Sequence, residues 1–222
     1  MEDRDTPRLY LELFDGSDTH GADRAAGLLR ETGVVRATWW RNCLPGRTEL
    51  PMRISDGTLL VVAELEADGA VPVARPGSTA FCFRRHPRPS QGILTGRATT
   101  GLLVVWISPR TPDLATSLRD WGDFVHIRHI AAAGIPGFTQ ISVFENETAV
   151  DPRYMHFYEF DSEDAEATYQ TMVEHVAPRL GGTGSESFGS WADWRAPGGR
   201  LWYCNTFDMV GEAGRRPRPI PH

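Results

Sequence analysis

Short runs of alternating apolar and polar residues recur along the chain, separated by stretches whose apolar residues fall three and four apart. The alternating runs predict strands near 8–14, 34–41 and 58–66, and again near 101–107, 138–144, 154–160 and 200–208. The helical spacing predicts helices near 21–31, 113–132 and 163–178. Ser162 stands where the third helix needs its N-cap, with Glu163 and Asp164 in the first turn, and Gly181-Gly182 stops it beyond Pro178. Residues 67–100 are rich in Pro, Gly and Arg and lack a helical period. Their one apolar run, Thr79-Ala80-Phe81-Cys82-Phe83, fits a further strand, and the segment from Arg84 through Ser90 reads as a linker.

The pattern repeats once. Thr32-Gly33-Val34-Val35-Arg36-Ala37-Thr38-Trp39-Trp40-Arg41-Asn42 parallels Pro136-Gly137-Phe138-Thr139-Gln140-Ile141-Ser142-Val143-Phe144-Glu145-Asn146, each a glycine turn feeding a strand that ends in Asn. Val62-Ala63-Glu64-Leu65-Glu66 pairs with Phe157-Tyr158-Glu159-Phe160-Asp161, and Leu9-Tyr10-Leu11-Glu12-Leu13 with Leu103-Val104-Val105-Trp106-Ile107. The matches keep the same order in both halves. Each half approximates β-α-β-β-α-β, a ferredoxin-like unit, so the expected class is α+β. The expected division is a first repeat over 1–90 with an irregular second helix, a second over 91–212, and a Pro/Arg-rich tail over 213–222.

Composition removes several classes of function. All 23 basic residues are Arg, and without a lysine the chain cannot run Schiff-base, P-loop or Ser-Lys chemistry. A net charge of -6 argues against nucleic acid as a partner, and the one dense basic run, Arg215-Arg216-Pro217-Arg218, sits in the tail. Cys43, Cys82 and Cys204 form neither a disulfide framework nor a zinc pattern. The polar N-terminus and the lack of a long apolar run predict a cytoplasmic protein with no membrane partner. No GxSxG elbow or GxGxxG turn is present.

One stretch concentrates proton-transfer groups: Asp120-Trp121-Gly122-Asp123-Phe124-Val125-His126-Ile127-Arg128-His129. On an α-helix Asp123 and His126 are neighbours, so the carboxylate is expected to orient the imidazole or raise its pKa. Leu114, Leu118, Trp121, Val125 and Ala132 share the apolar face of that helix, with His126 on its flank and His129 nearer the face. Elsewhere Trp39 and Trp40 must point to opposite sides of their strand, one of them toward a helix-covered cavity, and Arg41 follows as a candidate anion ligand. Tyr154, His156 and Tyr158 share one strand face that is too polar for ordinary core.

The residues Trp121-x-Asp123-x-x-His126-Ile127-x, followed by Ile135-Pro136-Gly137-Phe138, resemble the helix-to-strand motif of the dimeric α/β-barrel superfamily, with the EthD-like branch the nearest in pattern. Gly122, Val125 and Arg128 depart from that pattern. The resemblance implies two ferredoxin-like repeats pairing their antiparallel sheets as a pseudo-dimeric α/β barrel, in a monomer or a homodimer. It also implies a cofactor-independent small-molecule enzyme of lyase, isomerase, cyclase or oxygenase type, acting on an apolar aromatic or polyketide-like substrate. His126 and Asp123 would be the catalytic pair, with Trp121, His129, Trp40, Arg41, Tyr154, His156 and Tyr158 around the substrate. Two alternatives stand beside it: a non-catalytic binding barrel, and a haem protein with His126 or His129 as axial ligand. The first half has no counterpart of the Trp-Asp-His set, so chemistry is expected only in the second.

Overall fold

Apolar side chains at every second position of a strand need a face to cover, and here they find two: a closed lumen and an outer layer of helices. A computed structural model of the protein describes residues 7–88 and 91–214; the linker residues Pro89 and Ser90 and the basic run at 215–218 lie outside them. The first half contributes β1 (Arg8–Phe14), α1 (Asp18–Leu28), β2 (Val34–Asn42), β3 (Leu59–Leu65) and β4 (Thr79–Arg85). After the short β5 (Gly92–Ile93), the second half contributes β6 (Gly101–Pro109), β7 (Phe138–Asn146), β8 (Tyr154–Phe160) and β9 (Gly199–Gly214). Between β6 and β7 runs one helical path, made of a 3-10 turn (Pro112–Leu114), α2 (Ala115–Trp121), a π turn (Gly122–Ile127) and α3 (Arg128–Ala132). Between β8 and β9 lie α4 (Ala165–Gln170), α5 (Met172–Val176) and α6 (Glu186–Ala192).

The strands run β4-β1-β3-β2-β9-β6-β8-β7, and β7 pairs back onto β4, which closes an eight-stranded antiparallel barrel. Counted within each half, both four-strand sheets have the same order, so two ferredoxin-like units pair as a pseudo-dimeric α/β barrel. β2 and β7 correspond closely. Each follows a left-handed glycine, Gly33 at φ +87 and Gly137 at φ +88, and each has a register shift at its start. Each ends in an asparagine whose Oδ1 accepts from the amide two residues on, Leu44 or Thr148, and whose Nδ2 donates to a carbonyl across the turn, that of Gly57 or Pro152.

The lumen is packed with side chains. Trp106, fully buried, stands edge-on to Phe81 at 5.2 Å and 5.0 Å from Tyr203, among Leu11, Leu60, Phe83 and Phe207. Burying each of these side chains is worth about 1.5–3 kcal/mol. Trp40 belongs to this cluster, with its indole donating to Thr38 Oγ1 at 2.7 Å.

Several expected elements differ. The third helix breaks at Thr171 into two short pieces and a 3-10 turn (Ala177–Leu180), and its N-cap is Asp164, which accepts from Ala167 N at 2.8 Å. β9 continues to Gly214, paired with Arg36, so Ala213 and Gly214, read as the start of the tail, belong to the barrel. The pairing of Leu9 with Leu103 is one residue out of phase: Leu9 faces the lumen and Leu103 the helices.

The loop between β2 and β3 (residues 43–58) leaves its own half. The Arg47 side chain, 1% exposed, pairs with Glu166 of α4 and donates to Asn205 Oδ1 of β9 at 3.1 Å. Asp56 accepts from Tyr203 Oη at 2.6 Å and from Asn205 Nδ2 at 2.9 Å. These bonds hold the loop against β9.

Candidate functional site

Between the second half's sheet and its helices lies a cavity of about 230 Å³. Leu103, Val105 and Ile107 of β6 and His156 and Tyr158 of β8 form its floor; Trp121, His126, Tyr169, Met172, Trp191 and Trp194 wall it, and Leu50 reaches in from the β2–β3 loop. None of its lining residues is charged.

The π turn sets the key imidazole. Inserting a residue into a helix widens the turn, and the expected apolar face 118-121-125-132 is replaced by buried Leu118, Gly122, Asp123, Ile127 and Ile130. Asp123 and His126 are thereby rotated apart. Asp123, 2% exposed, accepts from Arg88 Nε at 2.5 Å and from Gln91 Nε2 at 3.4 Å, not from His126. The expected Asp-His pair is thus corrected: the acid is held by the linker side and the imidazole by α6.

α6 begins at Ser185, whose Oγ accepts from Phe188 N at 3.0 Å, and it delivers Trp191 onto His126. The two residues exchange hydrogen bonds: Trp191 Nε1 donates to the His126 carbonyl at 3.1 Å, and His126 Nδ1 donates to the Trp191 carbonyl at 3.0 Å. A carbonyl can only accept, so Nδ1 carries the proton and Nε2 is left as a bare acceptor. The imidazole lies nearly parallel to Trp121 (4.8 Å, 24°) and to Trp191 (5.2 Å, 17°), and Trp121 is fixed by donating to the Ser190 carbonyl at 2.8 Å. Burial among these rings pushes His126 down to about 4, only partly offset by its bond to Trp191.

His156 stacks 6.3 Å from His126, and its pKa is pushed down to about 3 by burial and by the neighbouring imidazole. Both rings are therefore neutral at pH 7. Tyr158, 1% exposed, has a hydroxyl with no hydrogen-bond partner among the described residues, and burial raises its pKa. An unpaired buried hydroxyl beside a cavity is a donor in need of an acceptor.

Of the residues proposed from sequence, His126, Trp121, His156 and Tyr158 meet at this cavity. Five others do not line it. Asp123 faces Arg88, Trp40 fills the lumen, and Arg41 forms an exposed ion pair with Asp18. Tyr154 packs beneath Arg119, its hydroxyl donating to the Ala115 carbonyl at 3.4 Å. His129 is half-buried on α3, its pKa lowered by burial and by Arg128 and Arg179. Trp191 lies in a stretch for which the sequence pattern predicts no element; its available signal is the capping serine Ser185 followed by Phe188 and Trp191. The cavity does not fit a haem: its volume lies below the roughly 300 Å³ at which pockets for drug-sized ligands begin, and it offers no cation to a porphyrin's carboxylates. Among the described residues, no group of three or more His, Cys, Asp or Glu is placed to hold a metal ion, and no helix is long and apolar enough to cross a membrane.

No protein-family model and no curated protein matches the sequence. Solved structures do. The chain is similar to an anthrone oxidase-like protein (16% identity, TM-score 0.55, covering 96% of this chain and 95% of that one). It is also similar to a candidate monooxygenase from Fusobacterium nucleatum subsp. nucleatum (8%, 0.53, 94% and 94%). A third likeness is to a major regulator of staphylococcal pathogenesis (9%, 0.53, 91% and 99%). At these identities the likeness is one of fold, and the fold is that of the dimeric α/β barrels, here built from a single chain.

Proposed function

We propose that this protein is a small-molecule enzyme that works without an organic cofactor, of the oxygenase type, on an uncharged fused-ring aromatic held in the second-half cavity. The observation that carries the reading is the pairing of a bare imidazole nitrogen with an unpartnered phenol in one uncharged aromatic chamber: His126 Nε2 as acceptor and Tyr158 Oη as donor. A bound hydroxyaromatic gives its O–H or acidic C–H proton to His126 Nε2. The negative charge left behind gathers on a ring oxygen, where the Tyr158 hydroxyl donates to it. The exclusion of water by Trp121, Trp191 and Trp194 strengthens that hydrogen bond. An electron-rich anion of this kind can react directly with dioxygen, and two proteins of the same fold are described as anthrone oxidase-like and as a candidate monooxygenase.

The test is a titration of the purified protein with hydroxyanthrones and naphthols, read by quenching of its tryptophans, followed by oxygen uptake and product mass. The expected result is binding, with turnover in air that His126→Ala abolishes and Tyr158→Phe slows by about a hundredfold. Binding with return of unchanged ligand in every case would overturn the enzymatic reading and leave a binding protein.

A further inference from the structure

The walls of the aromatic cavity differ in how firmly they are built. Its floor belongs to the closed barrel, where β6 and β8 are paired along their length. One side is the stack of Trp121, His126 and Trp191, locked by the hydrogen bonds that the last two exchange. A change of size in either disturbs the barrel or the imidazole itself. The wall at Leu50 is of another kind. Among the described residues it is the one lining position that comes from the first half, and it belongs to no helix or strand. Its half-buried side chain packs against the second-half core, while Glu49 and Pro51 on either side are exposed. With Gln170 and Val173, the exposed members of the lining, Leu50 marks the rim where the cavity meets solvent.

The segment is anchored on both sides of Leu50 and not through its side chain. Before it, Arg47 pairs with Glu166 and stands over the ring of Tyr169, 5.5 Å from its centroid. After it, Met52 and Ile54 pack against the lumen cluster. Met52 Sδ accepts from Cys204 N at 3.4 Å, and the Trp202 carbonyl accepts from Arg53 N at 2.9 Å and from Ile54 N at 3.2 Å. Met52 N donates to the Leu50 carbonyl at 2.8 Å, which closes the turn between the anchors. Glu166 also accepts from Gln170 Nε2 at 2.6 Å, so the carboxylate that holds Arg47 ties the segment to the rim. The Leu50 side chain is thus firmly presented, yet its size can change without breaking any of these bonds.

We infer that Leu50 is the specificity-determining residue of this cavity, admitting hydroxyaromatics of two or three fused rings and refusing a fourth. The inference rests on the reading of the cavity as the ligand site. A ligand whose oxygen is held by His126 and Tyr158 finds the sheet and the stacked tryptophans unyielding, so a longer ring system can extend only toward the rim. There the branched end of Leu50 stands in its way. With that side chain in place the cavity is about 230 Å³, below the roughly 300 Å³ at which pockets for drug-sized ligands begin. Alanine at this position keeps only the β-carbon, and because solvent lies behind the wall, the space it opens is continuous with the outside instead of forming a sealed void.

The test is equilibrium dialysis of the full-length protein and its Leu50 variants against 2-naphthol, with two rings, and 1-hydroxypyrene, with four, each followed by its own fluorescence. The parent should bind 2-naphthol at least about tenfold more tightly, the smallest discrimination expected of a pocket that is short by one carbon. Leu50→Ala should erase that preference, gaining at least about tenfold for 1-hydroxypyrene and losing affinity for 2-naphthol. Leu50→Phe should sharpen it, and Leu50→Met, close in volume, should keep it. A role confined to holding the loop would move both affinities together and leave their ratio alone. An unchanged ratio in both Leu50→Ala and Leu50→Phe, or equal binding of the two probes by the parent, would therefore overturn the inference and leave the cavity as the ligand site. Binding of neither probe by the parent would overturn both readings.

Discussion

The two helix-covered faces of this barrel are built on the same four-strand order and end in opposite states. On the first-half face, α1 lies close against the sheet and Trp39 fills the space between them. A Cβ at Gly21 of α1 would stand 2.8 Å from the indole, and one at Gly211 of β9 only 2.3 Å from it. Where a second helix would lie, an irregular segment folds over Glu12. That carboxylate, fully buried, accepts from Arg24 Nε at 2.6 Å, from Arg75 N and Ser78 Oγ at 2.7 Å, and from Tyr10 Oη at 3.0 Å. On the second-half face, five tryptophan and tyrosine side chains stand around a void instead of filling it. The same scaffold thus makes a plug or a chamber according to what its covering layer puts on it.

The sharpest way to break this contrast is to remove the plug. Glu12→Ala strands the Arg24 guanidinium, and it should cost about 3–5 kcal/mol in urea unfolding while leaving naphthol binding unchanged. A cost under about 1 kcal/mol would show that the cluster merely fills space. Acidification should act on the other face. The two imidazoles are neutral in the fold, yet the unfolded chain takes up protons near the ordinary histidine value of 6.5. Between that pH and about 4 for His126 or about 3 for His156, the unfolded state therefore binds more protons. Their contribution is complete above pH 6.5 and lost as pH falls through the window, on the order of a few kcal/mol. Comparing urea midpoints at pH 7 and 4.5 with those of a His126→Phe/His156→Phe variant isolates it, since the variant should lose less.

Gly211→Ala should cost about 1–3 kcal/mol by pressing on Trp39, measured as a lower urea midpoint. A neutral result would mean that the indole can move aside. The smallest effect is expected for Asp123→Asn. Because Asp123 faces Arg88 and not His126, the His126 titration followed by NMR should stay near 4. A shift of a full unit would restore the acid–imidazole pair read from the sequence.

Much of this architecture was legible in the chain, for reasons that particular residues make plain. The alternation in β2 and β7 is strict enough to fix their phase, so Thr38 with Trp40 and Ser142 with Phe144 come out on equivalent faces. β6 is apolar at every position from Leu102 to Ile107, and a strand without alternation gives no phase; that is why Leu9 pairs with Leu103 by sequence, one residue out. His156 and Tyr158 stood out because a buried strand face seldom carries such groups together. The π turn had no sequence marker of its own. Reading the segment at 3.6 residues per turn placed Asp123 on His126, and one extra residue in the turn undid that. α6 was lost because seven residues are too few to show a period.

The loop at 43–58 has a consequence for how such a chain diverges. In a symmetric pair of identical subunits, any segment lengthened to improve one chamber is lengthened at the other as well. Here Leu50 belongs to the half whose own face is plugged, yet it lines the chamber of the other. Arg47 and Asp56 secure the segment that carries it. Joined in one polypeptide, the halves need not match, and here a segment of one forms part of the other's wall. Residues 91–214 expressed alone would lack that piece of the wall, so the chamber is complete only in the joined pair.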